Sequence, residues 1–305
     1  MTQEELIKRI NELKKAKNAI ILAHNYELGE IQDIADFCGD SLELSIKAAN
    51  TDNDLIVFCG VRFMAETAKM LSPDKKVILP VAHATCEMAE MIDGEQLRAI
   101  KKEYPNSITV AYVNSTAETK AECDLCVTSS NALKIIASLP KDKHVIFVPD
   151  RNLGSYCKEQ TNHNNMYLYD GFCPVHDRLT VEVLKKRKAE FPNAEVLIHP
   201  ESRKELVELA DHALSTGKIL TYVRESDKKE FIIVTEIGIL HRLEKENPDK
   251  KFIPISCEAV CPHMKLIRLE NVLEALEKEE NEIILDKEIM EKAAKPIRAM
   301  LELSK

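Results

Sequence analysis

The chain has 305 residues, of which 45% are hydrophobic and 30% are charged, and its formal net charge is −9. This composition is typical of a soluble globular protein with more than one core, and the negative charge argues against a broad nucleic-acid-binding surface. No apolar run approaches the roughly 20 residues that a membrane-spanning helix needs, so we expect no membrane partner.

The N-terminal segment 1–18 has the pattern of a charged amphipathic helix and lacks the apolar centre of a signal peptide. We therefore expect a cytoplasmic protein. Disulfides are rare in that reducing compartment, so some of the nine cysteines are candidates for metal binding.

Short apolar runs alternate with helical patterns along the rest of the chain. Continuous apolar runs of this length predict strands buried on both faces of a parallel sheet, and they occur at residues 19–24, 54–60, 76–81, 108–113, 144–149, 165–170, 194–199, 230–235 and 251–256. Apolar residues at helical spacing predict helices at 95–104, 181–192 and 238–248. The alternation predicts an α/β fold built from βαβ units.

A repeat of about 87 residues runs through the chain. Cys86, Cys173 and Cys261 each follow an apolar run, and they are separated by 87 and 88 residues. The polar residues that follow the first strand of each unit recur at similar spacing, as do the small hydroxyl residues near the next helix start: His24, Asn114 and His199, and then Ser41, Ser129 and Thr216. We therefore predict three pseudo-symmetric αβα units with short parallel sheets around a central site.

The predicted units span residues 1–90, 91–178 and 179–265, and we expect residues 266–305 to form a helical segment that packs back on the first unit. Ligands of parallel sheets bind beyond the carboxyl ends of the strands, where each unit carries its polar residues. Packing about a pseudo-threefold axis would bring these three edges together.

A structural zinc site needs four ligands, but the repeat of about 87 residues supplies only three cysteines, which argues against such a site. An iron–sulfur cluster held by three cysteines would leave one iron open for Lewis-acid chemistry. Cys257 competes with Cys261 for the third position. Cys123 and Cys126 form a single Cys-x-x-Cys pair. Because no second pair accompanies it, we predict that both are ordinary thiols and not metal ligands.

The other polar residues allow two interpretations. Ser41, Ser129 and Thr216 either cap helices or line an anion site, because helix starts offer free N–H groups to both. His24 and His199 follow strands beside other polar groups, which suits proton transfer near neutral pH. Glu201 lies two residues after His199 at a strand end, so we predict that these two side chains form a proton-transfer pair.

The motifs together resemble one family. The segments "ILAHNYELGEIQDIADFCGDSLELS", "ATCEMA", "AYVNSTAE", "TSSNA", "FVPDRNLG", "CPVH", "HPE", "STG" and "TEIG" resemble quinolinate synthase, the iron–sulfur enzyme of NAD biosynthesis. The resemblance runs from about residue 18 to the C-terminus. It implies three pseudo-symmetric units around a [4Fe–4S] cluster, with Cys86, Cys173 and Cys261 as its ligands.

The resemblance also implies a reaction, the condensation of iminoaspartate with dihydroxyacetone phosphate to quinolinate, and a functional link to the enzyme that supplies iminoaspartate. It implies catalytic roles for His24, Tyr26, Tyr112, His199 and Glu201. Substrate binding would fall to His24, Ser41, Tyr112, Val113, Asn114, Ser129, His199, Pro200, Glu201 and Thr216. The segment "STGKILTYVRE" departs from the family pattern, and it leaves Lys218 and Arg224 as candidates for the basic partner of the substrate carboxylates.

Two other functions stay open from the residues alone. One is a [4Fe–4S] dehydratase that acts on a different small polycarboxylate. The other is an iron or redox sensor, although a DNA-binding sensor would be expected to carry a basic recognition helix, which the sequence lacks.

Overall fold

The strands pair into three separate parallel sheets, and the computed structural model describes all 305 residues. The first sheet has the order β2-β1-β3-β4, with β1 (Ala19–His24), β2 (Phe37–Gly39), β3 (Leu55–Cys59) and β4 (Lys76–Ile78). The second has the order β6-β5-β7-β8, with β5 (Ile108–Tyr112), β6 (Leu125–Val127), β7 (Val145–Val148) and β8 (Met166–Leu168). The third has the order β10-β9-β11-β12, with β9 (Glu195–Ile198), β10 (His212–Ala213), β11 (Glu230–Val234) and β12 (Lys251–Pro254).

Helices connect the strands within and between the sheets. Those of the first unit are α1 (Gln3–Ala16), α2 (Gly29–Ile34), α3 (Ser41–Ala49) and α4 (Arg62–Leu71). The second unit has α5 (Gly94–Glu103), α6 (Ala117–Ala121), α7 (Ala132–Ser138), α8 (Arg151–Thr161) and α9 (Pro174–Asp177). The third has α10 (Val181–Glu190), α11 (Lys204–Val207), α12 (Thr216–Glu225) and α13 (Ile239–Glu246), and the C-terminal segment adds α14 (Leu269–Lys278) and α15 (Lys287–Leu303).

The predicted α/β class with three units of short parallel sheets is confirmed, and so is each of the nine predicted strands. Most strands end one to three residues before the apolar run does, because the run continues into the buried loop beyond the sheet. The sequence pattern missed the edge strands β2, β6 and β10, which have only two or three residues each. The unit boundaries given above stay a prediction.

An aspartate stands directly before each of these short edge strands and ties it to the central strand of its sheet. The carboxylates of Asp36, Asp124 and Asp211 accept hydrogen bonds from the backbone N–H groups of Ile21, Thr109 and Val196, at 2.9, 2.8 and 2.8 Å. These aspartates are 88 and 87 residues apart, so the repeat seen in the cysteines also appears in the bonds that build each sheet.

The core reflects how the three units differ. One large apolar cluster runs through the first and second units and reaches one face of the third sheet, where it includes Leu197 and Ile233. The opposite face of that sheet, with Val196 and Ile232, belongs to a smaller separate cluster. This alternation is the side-chain period of a β-strand. The third unit therefore has an apolar layer of its own.

The two C-terminal helices pack in different places. The helix α14 lies against α1 and β3 of the first unit. The helix α15 lies against α4 of the first unit and also against α6 and β6 of the second. The C-terminal segment therefore joins two units, which is a broader contact than the expected return onto the first. None of the helices combines the length and the apolar character that crossing a membrane requires.

Candidate active site

A cavity of about 130 Å³ lies where the three units meet, and most of the predicted site residues line it. Those that line it are His24, Tyr26, Ser41, Cys86, Tyr112, Asn114, Ser129, Cys173, His199, Glu201, Thr216 and Cys261. Two others, Val113 and Pro200, are buried without lining it. The residues come from the carboxyl ends of the strands, where open parallel sheets usually bind ligands.

Three thiols enter the cavity from three different units. Cys86, Cys173 and Cys261 line it, whereas Cys257 is exposed and lies outside it. Cys123 and Cys126 also lie outside. Burial raises the pKa of Cys86 to about 12 and that of Cys261 to about 11, and burial followed by the charge of Glu201 raises the pKa of Cys173. The free thiols are therefore protonated at neutral pH, and a bound metal would have to displace those protons.

These donors fit an iron–sulfur centre better than a hard cation, because thiolates are soft ligands and three of them share one buried space. A second donor set overlaps with the first. The Sγ of Cys173, a ring nitrogen of His176 and a carboxylate oxygen of Glu201 all lie within 4.8 Å of one another, so they could hold a single metal ion. Cys173 belongs to both sets.

The carboxylate of Glu201 is the centre of the polar network. Its Oε1 accepts a hydrogen bond from the Tyr112 hydroxyl at 2.5 Å, and its Oε2 lies 2.8 Å from Nδ1 of His176. His199 is farther away, with its Nδ1 at 3.9 Å from the same oxygen. Burial alone would raise the pKa of Glu201, but His199, His176 and Tyr112 together lower it to about 2. Glu201 is therefore ionised at neutral pH.

A chain of hydrogen bonds leads from His176 back to the first unit. The Nε2 of His176 lies 2.8 Å from Oγ1 of Thr235, which lies 2.6 Å from the hydroxyl of Tyr26. Thr216 donates to that same hydroxyl at 3.0 Å. Burial, and next the charge of Glu201, raises the pKa of Tyr26 well above its ordinary value, so the phenol carries its proton.

The two predicted histidines are both neutral. Burial, reinforced by Lys265, lowers the pKa of His24 to about 3. Burial also lowers the pKa of His199 to about 4, although Glu201 opposes it. The Nε2 of His199 lies 3.1 Å from the hydroxyl of Ser129, which holds the ring against the second unit.

The repeated hydroxyls do not cap the helices that they precede or begin. The carboxylate of Asp40 caps α3 by accepting from the N–H groups of Leu42 and Glu43, both at 3.0 Å. Ser215 caps α12 in the same way, and Asn131 is the residue that precedes α7. Ser41, Ser129 and Thr216 instead line the cavity, where Ser129 contacts His199 and Thr216 contacts Tyr26.

The candidates for a basic partner lie elsewhere. Neither Lys218 nor Arg224 lines the cavity, and the side chain of Arg224 is 62% exposed. The guanidinium that does line the cavity belongs to Arg178, which donates to the carbonyl of Val260 at 2.9 Å.

Sequence reasoning missed three residues of this network. His176, Thr235 and Glu236 were not predicted, although all three lie within two of the motifs that carry the family resemblance, "CPVH" and "TEIG". The spacing of His176, three residues after a period-matched cysteine, was the available signal. Thr235 and Glu236 directly follow a buried strand, which places polar groups at the ligand-binding edge of a parallel sheet.

Comparison with known proteins identifies relatives along the whole chain. The family model described as "Quinolinate synthetase A protein" matches residues 8–302. Curated relatives named quinolinate synthase include one from Alkaliphilus metalliredigens, 50% identical over 99% of this chain and all of the relative. One from Dehalococcoides mccartyi is 51% identical over the same shares, and one from Aquifex aeolicus is 49% identical over 99% of this chain and 95% of the relative.

Proposed function

The chain belongs to the quinolinate synthetase A family, whose members are enzymes of NAD biosynthesis, and from this premise we propose that it condenses iminoaspartate with dihydroxyacetone phosphate. The products would be quinolinate, inorganic phosphate and two waters. The observation that carries the proposal is the meeting of three thiols from three units in one cavity that hydroxyls, imidazoles and a carboxylate also line.

Cys86, Cys173 and Cys261 would hold a [4Fe–4S] cluster through their sulfur atoms. When bound, such a cluster supplies an iron with an open position, which acts as a Lewis acid toward a substrate oxygen. His176 and Glu201 lie beside Cys173 and could contact a group bound there. The nine free cysteines suit a cytoplasmic enzyme, because that compartment keeps thiols reduced.

The substrates together carry two carboxylates and a phosphate, and the hydroxyls of Ser41, Ser129 and Thr216 bind these anionic groups. None of the three hydroxyls caps a helix, and Ser129 and Thr216 already contact His199 and Tyr26, so an anion bound there would join the network of proposed catalytic groups. Asn114 and the phenol of Tyr112 orient the condensed carbon chain. Val113 and Pro200 support these two segments from behind, where both are buried.

Proton transfer follows the network around Glu201. Carbon–carbon bond formation and the loss of water need a group that removes a proton and a group that returns one to a leaving hydroxyl. Tyr26 gives the proton of its hydroxyl to the leaving hydroxyl, which departs as water, and the phenolate then takes a proton from a substrate carbon, so Tyr26 ends the turnover as it began. Thr216 donates to this phenol oxygen, and Thr235 links it to His176. Glu201 holds the imidazole of His176 in the orientation that this transfer needs. His24 and His199, both neutral, accept or donate hydrogen bonds at the substrate.

Iminoaspartate is a reactive imine that water hydrolyses, so the enzyme depends on an upstream oxidation of aspartate to supply it. The decisive experiment is anaerobic reconstitution with iron and sulfide, followed by an assay for quinolinate from the two substrates. Formation of quinolinate and release of one phosphate per turnover are expected. A reconstituted cluster without quinolinate, or activity toward another polycarboxylate alone, would contradict the proposal.

A further inference from the structure

Buried carboxylates stand at equivalent places in the second and third units. Asp150 lies two residues after the end of β7, and Glu236 lies two residues after the end of β11. Both side chains are fully buried. The next residue in each unit donates its backbone N–H to the cysteine loop, from Arg151 to Gly171 at 2.8 Å and from Ile237 to Ala259 at 2.9 Å. The two positions are therefore structurally equivalent.

Each carboxylate ties a cysteine to the end of a strand. The Oδ2 of Asp150 accepts the backbone N–H of Cys173 at 3.2 Å, while its Oδ1 accepts that of Leu153 at 2.6 Å. The Oε1 of Glu236 accepts the backbone N–H of Cys261 at 3.1 Å, while its Oε2 accepts that of Gly238 at 2.6 Å. In both units one oxygen faces the cysteine and the other faces the segment that follows the strand.

The first unit departs from this arrangement. The equivalent backbone bond joins Arg62 to the carbonyl of Ala84 at 2.8 Å, which makes Val61 the counterpart of the two acids. Val61 is buried and has no acceptor to offer to Cys86. The three cysteine loops are therefore held in two different ways, and this difference does not follow from the repeat.

We propose that Asp150 and Glu236 are positioning residues that fix the Cys173 and Cys261 loops and keep two backbone N–H groups away from the sulfur atoms of the cluster. The inference rests on the proposed function. Hydrogen bonds to sulfur raise the reduction potential of an iron–sulfur cluster. An N–H group that already donates to a carboxylate cannot donate to sulfur. The two acids therefore favour a cluster that resists reduction, which suits a Lewis acid that must keep its oxidation state.

The test uses the reconstituted wild-type enzyme and two variants of one residue. Asp150→Asn keeps the size of the side chain but has a single acceptor oxygen for two N–H donors. Asp150→Val removes both acceptors and copies the residue that the first unit carries at this place. Asp124→Asn is the matched control, because Asp124 also accepts a backbone N–H, from Thr109 at 2.8 Å, but lies outside the cavity.

We expect both Asp150 variants to bind iron and sulfide but to release iron to a chelator about 10-fold faster, the lower end of the effect of removing a partner of a metal ligand. In a reductive titration followed by electron paramagnetic resonance, their clusters should be reduced at a higher potential than in the wild type, with the larger shift for Asp150→Val. The Asp124→Asn control should match the wild type in both measurements.

A change in stability alone would not move the reduction potential, so this readout separates positioning from folding. Should Asp150→Val fail to fold, Asp150→Asn supplies the comparison, and Glu236→Gln extends it to the third unit, where the ion pair with Lys265 at 3.0 Å is lost as well. Unchanged potential and unchanged iron release in these variants would overturn the inference while leaving the proposed function intact. A wild-type chain that takes up no cluster would instead overturn the proposed function.

Discussion

The imidazole of His176 and the carboxylate of Glu201 lie 2.8 Å apart, measured from Nδ1 to Oε2, although they come from different predicted units. Sequence spacing had suggested His199 as the partner of Glu201, because the two are separated by a single proline. The structure keeps His199 at 3.9 Å from that carboxylate and gives the closer place to His176. The proton-transfer network is therefore assembled between units rather than within one strand end.

The first prediction concerns Glu201. Glu201→Gln keeps the size of the side chain but removes the negative charge and replaces one of its two acceptor oxygens by an NH2 donor, so one acceptor must serve both Tyr112 and His176. We expect quinolinate formation to fall by about 10²–10⁴-fold, the usual range for a general acid–base group. Cluster content should stay unchanged, and both quantities should be measured on the same anaerobic sample. The control is Glu205→Gln, the same replacement at an exposed position nearby. Near-normal turnover would remove Glu201 from the mechanism, and loss of iron would make it a ligand.

The second prediction concerns the ligands of the cluster. Cys86→Ala, Cys173→Ala and Cys261→Ala should each abolish cluster binding, because each unit supplies one thiol to the cavity. Cys123→Ala and Cys126→Ala should leave it intact, since both residues lie outside the cavity. Iron and sulfide analysis after anaerobic reconstitution measures this. A Cys261→Ala protein that keeps a full cluster would shift the third ligand to Cys257.

The third prediction concerns the acid stability of the metal-free chain. Burial, with a contribution from Lys265, lowers the pKa of His24 from 6.5 to about 3, while Glu201 opposes this. Between pH 6.5 and about 3, His24 is therefore protonated in the unfolded chain but neutral in the folded chain. The difference in His24 pKa costs no stability above pH 6.5. As the pH falls toward 3, it lowers the free energy of unfolding by up to about 1.4 kcal/mol per pH unit.

The His24→Gln variant has no such proton to bind, so its free energy of unfolding should fall less steeply with acid. Urea unfolding at pH 7, 6 and 5 measures the slope. The control is His83→Gln, which removes an exposed histidine outside the cavity. Equal slopes for the wild type and His24→Gln would show that His24 does not titrate differently in the two states.

The fourth prediction concerns Lys120, a fully buried lysine between the first two units. Its ammonium donates to the carbonyl of Ser115 at 2.5 Å and lies 5.4 Å from the ring centre of Phe63, which lines the cavity. The hydroxyl of Ser115 in turn donates to the carbonyl of Tyr112 at 2.8 Å. Lys120 therefore supports the segment that carries a predicted catalytic phenol.

Lys120→Met keeps the apolar stem and leaves the Ser115 carbonyl without its donor, so we expect a loss of about 1–3 kcal/mol in the free energy of unfolding. KM should rise because the segment at Tyr112 loosens. Lys101→Met is the control, since the Lys101 ammonium also donates to a carbonyl, that of Glu122 at 2.6 Å, but lies outside the cavity. A variant as stable as the wild type would mean that the cost of burying the ammonium outweighs its hydrogen bond.

The sequence by itself determined the parts of this protein that depend on local order. Apolar runs predicted nine strands, and the spacing of Cys86, Cys173 and Cys261 predicted the repeat, because every copy of a repeated unit delivers its cysteine to the same strand edge. The short strands β2, β6 and β10 were missed, because no apolar run longer than three residues covers them, whereas the equally short β4 and β8 lie in longer runs. The aspartate before each was a usable signal, at 88- and 87-residue spacing.

Only the tertiary structure decided which polar groups touch. Tyr26 and Thr235 are 209 residues apart in the chain, yet their oxygens lie 2.6 Å from each other. The orientation of the second unit against the third decides which imidazole contacts Glu201. Local sequence patterns do not predict that orientation. The same holds for Asp150 and Glu236. Their oxygens can accept the N–H groups of Cys173 and Cys261 only because the cysteine loop of each unit folds back over its strand. Hydrogen bonds act over about 3 Å, so sub-ångström packing between units chooses the partners.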